Sequence, residues 1–316
     1  MSGPVIVDPR IGRQHALAVL QALLVTFLWS TSWILVKIGL DDLGMDPLSF
    51  AGLRYALAAA ILLPFGIRAM RAANRTEPLD GRLLVRVAIY GLLFVAVAQG
   101  AQFAALAVLP ATAVSLILSS IPMWVALMAL TGGAERATIG QAAGIGLLTV
   151  GALLYFGPFE VAADAGLGFL AAAVCVAAAS ASSHLGRRLA RDAIARIGGP
   201  IGLTASSMAV GGVALLAVSI GLEGWPRLDL GGVLIIGWLA LVNTAFAFTL
   251  WNHTLRTLTA VESSVVNNTM TIQIAVLAII FLGERLGSLQ LAGLVLAATG
   301  AAVVQVAPIV RSRYGR

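Results

Sequence analysis

Charge is what this chain has least of: Asp, Glu, Lys and Arg make up 11% of its 316 residues, against about a quarter in water-soluble domains. With 59% hydrophobic residues and a mean hydropathy of +0.97, that scarcity excludes a soluble domain and predicts an all-α polytopic membrane protein. Cysteine is nearly missing as well. The single Cys175 rules out an intrachain disulfide, and its alanine-rich setting reads as a small buried packer. Histidine occurs three times, with no HExxH, no paired cysteines and no glycine loop in a strand context for a nucleotide. Neither metal nor cofactor is expected. The positive balance of +6 and the sequence pI near 10.4 are spread over short loops between apolar runs, which points to membrane topology and away from nucleic acid.

What the chain does have is a duplication. Leu258 to Ala301 is an ungapped relative of Leu109 to Ala152, 149 positions earlier. The shift pairs Ala111 with Ala260, Ser115 with Ser264, Glu135 with Glu284, Arg136 with Arg285, Gly144 with Gly293 and Gly151 with Gly300. Each copy reads as two apolar legs around a Glu-Arg turn. Upstream the likeness weakens: Ser30, Ser32 and Lys37 fall on Ser180, Ser182 and Arg187 at a shift of 150, and Pro47 reaches Pro200 only at 153. Apolar runs predict ten helices, at 15–39, 47–68, 84–107, 110–131, 138–157, 166–187, 199–221, 230–253, 259–281 and 287–308. The expected units are an N-terminal tail (1–14), a first repeat (15–157), a second repeat (158–308) and a C-terminal tail (309–316). The polar tail from Met1 to Gln14 does not read as a cleavable signal.

Ten crossings put both termini on one side, and sixteen of the twenty basic residues fall on that side. The positive-inside rule makes it cytoplasmic, in the cytoplasmic (inner) membrane. The other face has Asp41, Asp42, Asp46, Glu160, Asp164, Glu223 and Asp229. Five crossings per repeat insert the halves with opposite orientation, the arrangement that suits alternating access.

The chain resembles the EamA branch of the drug/metabolite transporter superfamily. The motifs are Leu28-Trp29-Ser30-Thr31-Ser32-Trp33, Pro47 with Leu53-Arg54-Tyr55, Ser119-Ser120-Ile121-Pro122, Leu250-Trp251-Asn252-His253-Thr254-Leu255-Arg256 and Leu282-Gly283-Glu284-Arg285-Leu286. One departure stands out: Thr271 lies where the family often has proline, opposite Pro122 of the first half. The resemblance implies two inverted five-helix repeats around a cavity lined by helices one, three, four, six, eight and nine, with the fifth and tenth peripheral. It also implies a secondary transporter for small organic metabolites (amino acid, nucleobase or organic cation type), often an exporter. Ser32 and Ser119 enter the candidate cavity on that ground.

Polar groups at membrane depth turn toward a cavity, a neighbouring helix or the surface. Gln99, Gln102, Asn243, Asn252, Asn267, Asn268, Thr271 and Gln273 are candidates to contact solute, with helix bridging as the competing reading. Trp29, Trp33, Trp124 and Trp251 either stack on a solute or anchor at the interface. Glu262 and His184 are candidates for proton coupling, against a helix-terminal acid and a loop-interface histidine. Arg54 reads foremost as a structural charge, paired with Asp46 or snorkelling outward, and secondarily as a carboxylate binder. Glu135 and Glu284 read as structural caps of the following helices. The expected partners are a small-molecule solute and membrane lipid, with no nucleic acid, in a monomer or weak homodimer. An intramembrane enzyme and a transporter-like scaffold or sensor are the competing functions; the enzyme lacks a nucleophile with a base.

Overall fold

The computed structural model describes residues 9–73, 80–131, 139–157, 165–192 and 194–314. Among them there is no strand, and the chain runs through ten helical segments. They are α1 (Pro9–Asp41), α2 (Pro47–Ala73), α3 (Gly81–Val108), α4 (Ala111–Leu118 and Ile121–Thr131), α5 (Ile139–Phe156), α6 (Ala165–Asp192), α7 (Gly199–Leu222), α8 (Leu230–Thr254), α9 (Ala260–Phe281) and α10 (Ser288–Tyr314). Nine are long and apolar enough to span a bilayer, and α9 contributes the shorter apolar stretch Val265–Phe281. Most boundaries fall near those the apolar runs predict, but α1 begins inside the expected tail, α2 and α6 run on five residues to Ala73 and Asp192, and α10 continues to Tyr314. Hydropathy marks only the part of a helix that meets lipid, whereas the backbone bonds continue past it.

The helix starts are written in local chemistry. The Asp80 side chain accepts from the Leu83 amide at α3, and Asp229 accepts from Gly232 at α8. α9 opens with a capping box, Thr259 and Glu262 each accepting from the other's backbone N–H. Two helices are capped by carboxylates from across the fold. Glu223, ending α7, accepts from the amides of Leu48 (2.9 Å) and Ser49 (2.7 Å) at the start of α2. Glu284, after α9, accepts from the amide of Ala111 (2.7 Å) and the hydroxyl of Thr112 (2.5 Å) at the start of α4. A negative group at a helix N-terminus meets both free N–H groups and the positive end of the dipole. The expectation that Glu284 caps the helix that follows it is therefore corrected: it caps α4 of the other half. Glu135 and Arg136 lie outside the described residues.

Packing shows the inversion. A Cβ on Gly151 of α5 would meet Gly293 O of α10 at 2.6 Å, and one on Gly300 of α10 would meet Gly144 O of α5 at 2.6 Å. Because Gly144 and Gly151 are the copies of Gly293 and Gly300, each half presents the same surface to the other, and the two helices run antiparallel. That is an isologous contact about a two-fold axis. α2 and α7 cross the same way: Gly52 faces Leu216, and Gly66 lies against Ala205 and Gly202. Small residues carry both crossings because they let backbones touch where lipid supplies no hydrophobic drive.

A further symmetry has no counterpart in the sequence reading. Leu92–Val97 of α3 and Leu239–Phe246 of α8 both wind as π-helix, and at the shift of 149 positions 92–97 fall on 241–246. Both repeats thus loosen the middle of their third helix, a distortion that concentrates at functional sites.

Candidate functional site

α1 is the polar centre of the molecule. Its hydroxyls lie on several faces, so they reach several neighbours. Ser30 Oγ shares its one proton between Gln273 Oε1 of α9 at 2.9 Å and Thr26 O of its own helix at 2.8 Å, and Gln273 Nε2 donates to Thr26 Oγ1 at 3.3 Å. Asn243 of α8 donates through Nδ2 to Leu28 O and, at 3.2 Å, to Thr31 Oγ1. Ser32 Oγ accepts from Arg54 Nη1 of α2 at 3.0 Å. Nearer the first loop, Lys37 Nζ donates to Leu106 O of α3 at 2.8 Å and pairs with Asp41 at 3.1 Å. Trp29 packs on Phe248 and Trp251, with ring centroids 5.2 and 5.3 Å away.

Arg54 is where the structure departs furthest from expectation. It neither pairs with Asp46 nor snorkels. Only 5% of it is exposed; Nε donates to Thr244 Oγ1 at 3.2 Å, and its guanidinium carbon lies 5.2 Å from the Tyr55 ring centroid. The reason is geometric: α2 packs against α7 on one side and reaches α8 on the other, so position 54 faces inward beside the π segment of α8. Thr244 spends its own proton on Leu239 O at 2.8 Å, which leaves its lone pairs for Arg54.

A cavity of about 300 Å³ lies between α4 and α9, with Trp33 of α1 and Gln305 of α10 completing its wall. Ser119, Asn267, Asn268 and Thr271 line it, together with Ser115, Pro122 and apolar neighbours. Five expected residues are thus brought together: Trp33, Ser119, Asn267, Asn268 and Thr271. Pro122 breaks α4, whose two segments are separated by a turn at Ser119-Ser120, because proline has no N–H for the preceding turn. α9, with Thr271 at the matching place, runs unbroken. Gln305 was not foreseen, since α10 was expected at the periphery. It donates to Asn268 Oδ1 at 3.2 Å.

The other candidates lie elsewhere. Gln273 and Asn243 are the helix bridges just described, and Gln99 accepts from Tyr55 OH at 2.7 Å. Gln102 and Asn252 are half-buried, and Trp124 is exposed, 47% of its surface accessible. His184 has a buried Nδ1 without a hydrogen-bond partner. Glu262 sits in its capping box with His15 Nε2 3.0 Å away, and the Thr259 amide holds its carboxyl below the usual range, aided by the Thr259 hydroxyl and His15. A second hollow of about 340 Å³ opens at the loop ends, between Lys37, Asp41, Asp42, Pro110, Phe281 and Glu284. No cluster of metal-ligating side chains occurs among the described residues.

The EamA-like transporter family model matches residues 16–157 and again 166–306, one copy per repeat. The chain belongs to the EamA-like transporter family. The match assigns this EamA-like chain a general secondary-transport function across a membrane, as a multi-pass inner-membrane protein. A solved crystal structure is similar to it at 19% identity with a TM-score of 0.60, over 93% of this chain and 98% of that one, and supports the fold alone. A search of curated proteins gave no match.

Proposed function

We propose that this EamA-like protein moves a small organic solute across the cytoplasmic membrane by alternating access, in the direction of export, with both termini cytoplasmic. The observation that carries this reading is the cavity between α4 and α9, the equivalent helices of the two repeats, with amides and hydroxyls on its wall. Its size, about 300 Å³, is at the lower end of small-molecule sites. A scaffold with a transporter's fold would have that space filled by side chains.

Two related halves in opposite orientation allow one conformational exchange to move the opening from one face to the other. In the state described here, Glu223 and Glu284 tie α7 and the end of α9 to the starts of α2 and α4 on the face of the odd-numbered loops. The charge distribution makes that face the external one, so we assign this conformation a closed outer side. Solute release then requires both caps to part. Ser119, Asn267, Asn268, Thr271 and Trp33 are the proposed solute contacts. Glu262, held in a cap, is not assigned to proton coupling.

Purified protein in proteoliposomes, offered amino acids, nucleobases and organic cations, is expected to give solute flux above protein-free vesicles. No flux across the whole panel contradicts the proposal.

A further inference from the structure

We propose that Arg54 is the site that recognises a carboxylate on the transported solute; this rests on the transport reading and narrows its substrate class. An arginine stays charged at any physiological pH and offers five N–H donors in a planar fork. Here Nε and one N–H of Nη1 are taken by the hydroxyls of Thr244 and Ser32, both neutral, so three donors are left. Among the described residues no carboxylate lies within ion-pair distance of Arg54. Nη2 makes no hydrogen bond with the described residues, and the side chain as a whole is 5% exposed.

Depth makes this unusual. Arg54 is seven residues into α2 from Pro47, or about 10 Å at the helical rise, so the cation lies well inside the membrane span. A charge held there without a counter-charge is retained for a reason, since ionisable groups within spans pair or serve the transport path. Ser32 and Thr244 fix the plane of the fork and leave both N–H groups of Nη2 and one of Nη1 for a carboxylate. The missing negative charge is then supplied by the solute. The site fits an organic acid or the carboxylate end of an amino acid and disfavours organic cations and uncharged nucleobases. Neither repeat register gives Arg54 a basic copy; its counterpart is Thr204 or Ser207, so there is one such site per chain.

The test is the thermal stability of the detergent-purified full chain with matched probes: leucine against leucinamide, succinate against succinamide, and inorganic phosphate. The acids are expected to raise the melting temperature and the amides to leave it unchanged. R54K keeps the charge without the fork and is expected to need at least tenfold more acid for the same shift; R54Q is expected to lose the response. Should R54Q fail to fold, T244V and S32A decide, since they keep the charge and release one donor each, for a several-fold loss. Equal shifts with acids and amides, a response intact in R54Q or T244V, no shift with any acid, or a shift with phosphate alone overturns the inference. Flux in proteoliposomes separates the two claims. Acids that bind without being carried sink the transport reading and leave Arg54 standing, whereas a cationic or neutral solute carried equally well by R54Q does the reverse.

Discussion

In α1, Ser30 donates to Gln273 of α9 and Ser32 accepts from Arg54 of α2, whereas at the matching places in α6 Ser180 has no partner and Ser182 bonds only Ala179 O on its own helix. The serines are the same; their surroundings are not. α6 packs on α3 and α4 as α1 packs on α8 and α9, but at the shift of 149 Gln273 falls on Trp124, Asn243 on Phe94 and Thr244 on Val95. The duplication therefore left a symmetric scaffold, seen in the α5–α10 and α2–α7 crossings, and gathered its polar side chains at one interface.

Paired substitutions sharpen this contrast, because scaffold positions must respond equally and network positions unequally. The largest effect is expected at the α5–α10 crossing, where G151V and G300V each drive a side chain into the opposing backbone. Each should cost about 3 kcal/mol, and their melting temperatures in detergent should fall together. A large difference between the two would break the symmetric half of the comparison. T271P copies Pro122 into the unbroken helix; it should cost about 3 kcal/mol and lower the stability of α9 as read by hydrogen exchange. A smaller effect is expected from the serines. S30A leaves Gln273 without its donor and should cost about 1 kcal/mol, against roughly 0.5 kcal/mol or less for S180A. Equal losses would show that the polar asymmetry has no energetic weight.

The smallest effect concerns pH. The folded-state pKa of Glu262 is depressed, so its capping contribution is complete above the unfolded carboxylate pKa and is lost only as pH falls through the lower folded value. Between pH 8 and pH 6 Glu262 stays ionised, and E262Q should leave the pH dependence of flux over that range unchanged. A changed profile would return Glu262 to the proton path.

Much of this was legible beforehand. Apolar runs marked the helices, the ungapped repeat paired Gly144 with Gly293 and Gly151 with Gly300, and Thr271 opposite Pro122 marked one place where the two halves differ. What stayed hidden depends on contacts far apart in the chain. Arg54 meets Ser32 and Thr244 at separations of 22 and 190 residues, so its spacing from Asp46 misled. The π segments carry no residue signature, since Leu92–Val97 is ordinary apolar helix in composition and only the bond pattern distinguishes it. Glu223 read as one more charge of the outer face until α7 placed it over the start of α2. Gln305 was passed over because the resemblance places the tenth helix at the periphery, although Gln305 of α10 lines the cavity.

Alternating access is most directly tested by side-specific labelling of S119C in a C175A background, with a membrane-impermeant thiol reagent applied to either face of oriented vesicles. The cavity position should react from both faces, and a solute that favours one conformation should raise labelling on one face while lowering it on the other. Labelling from a single face under every condition would contradict the account.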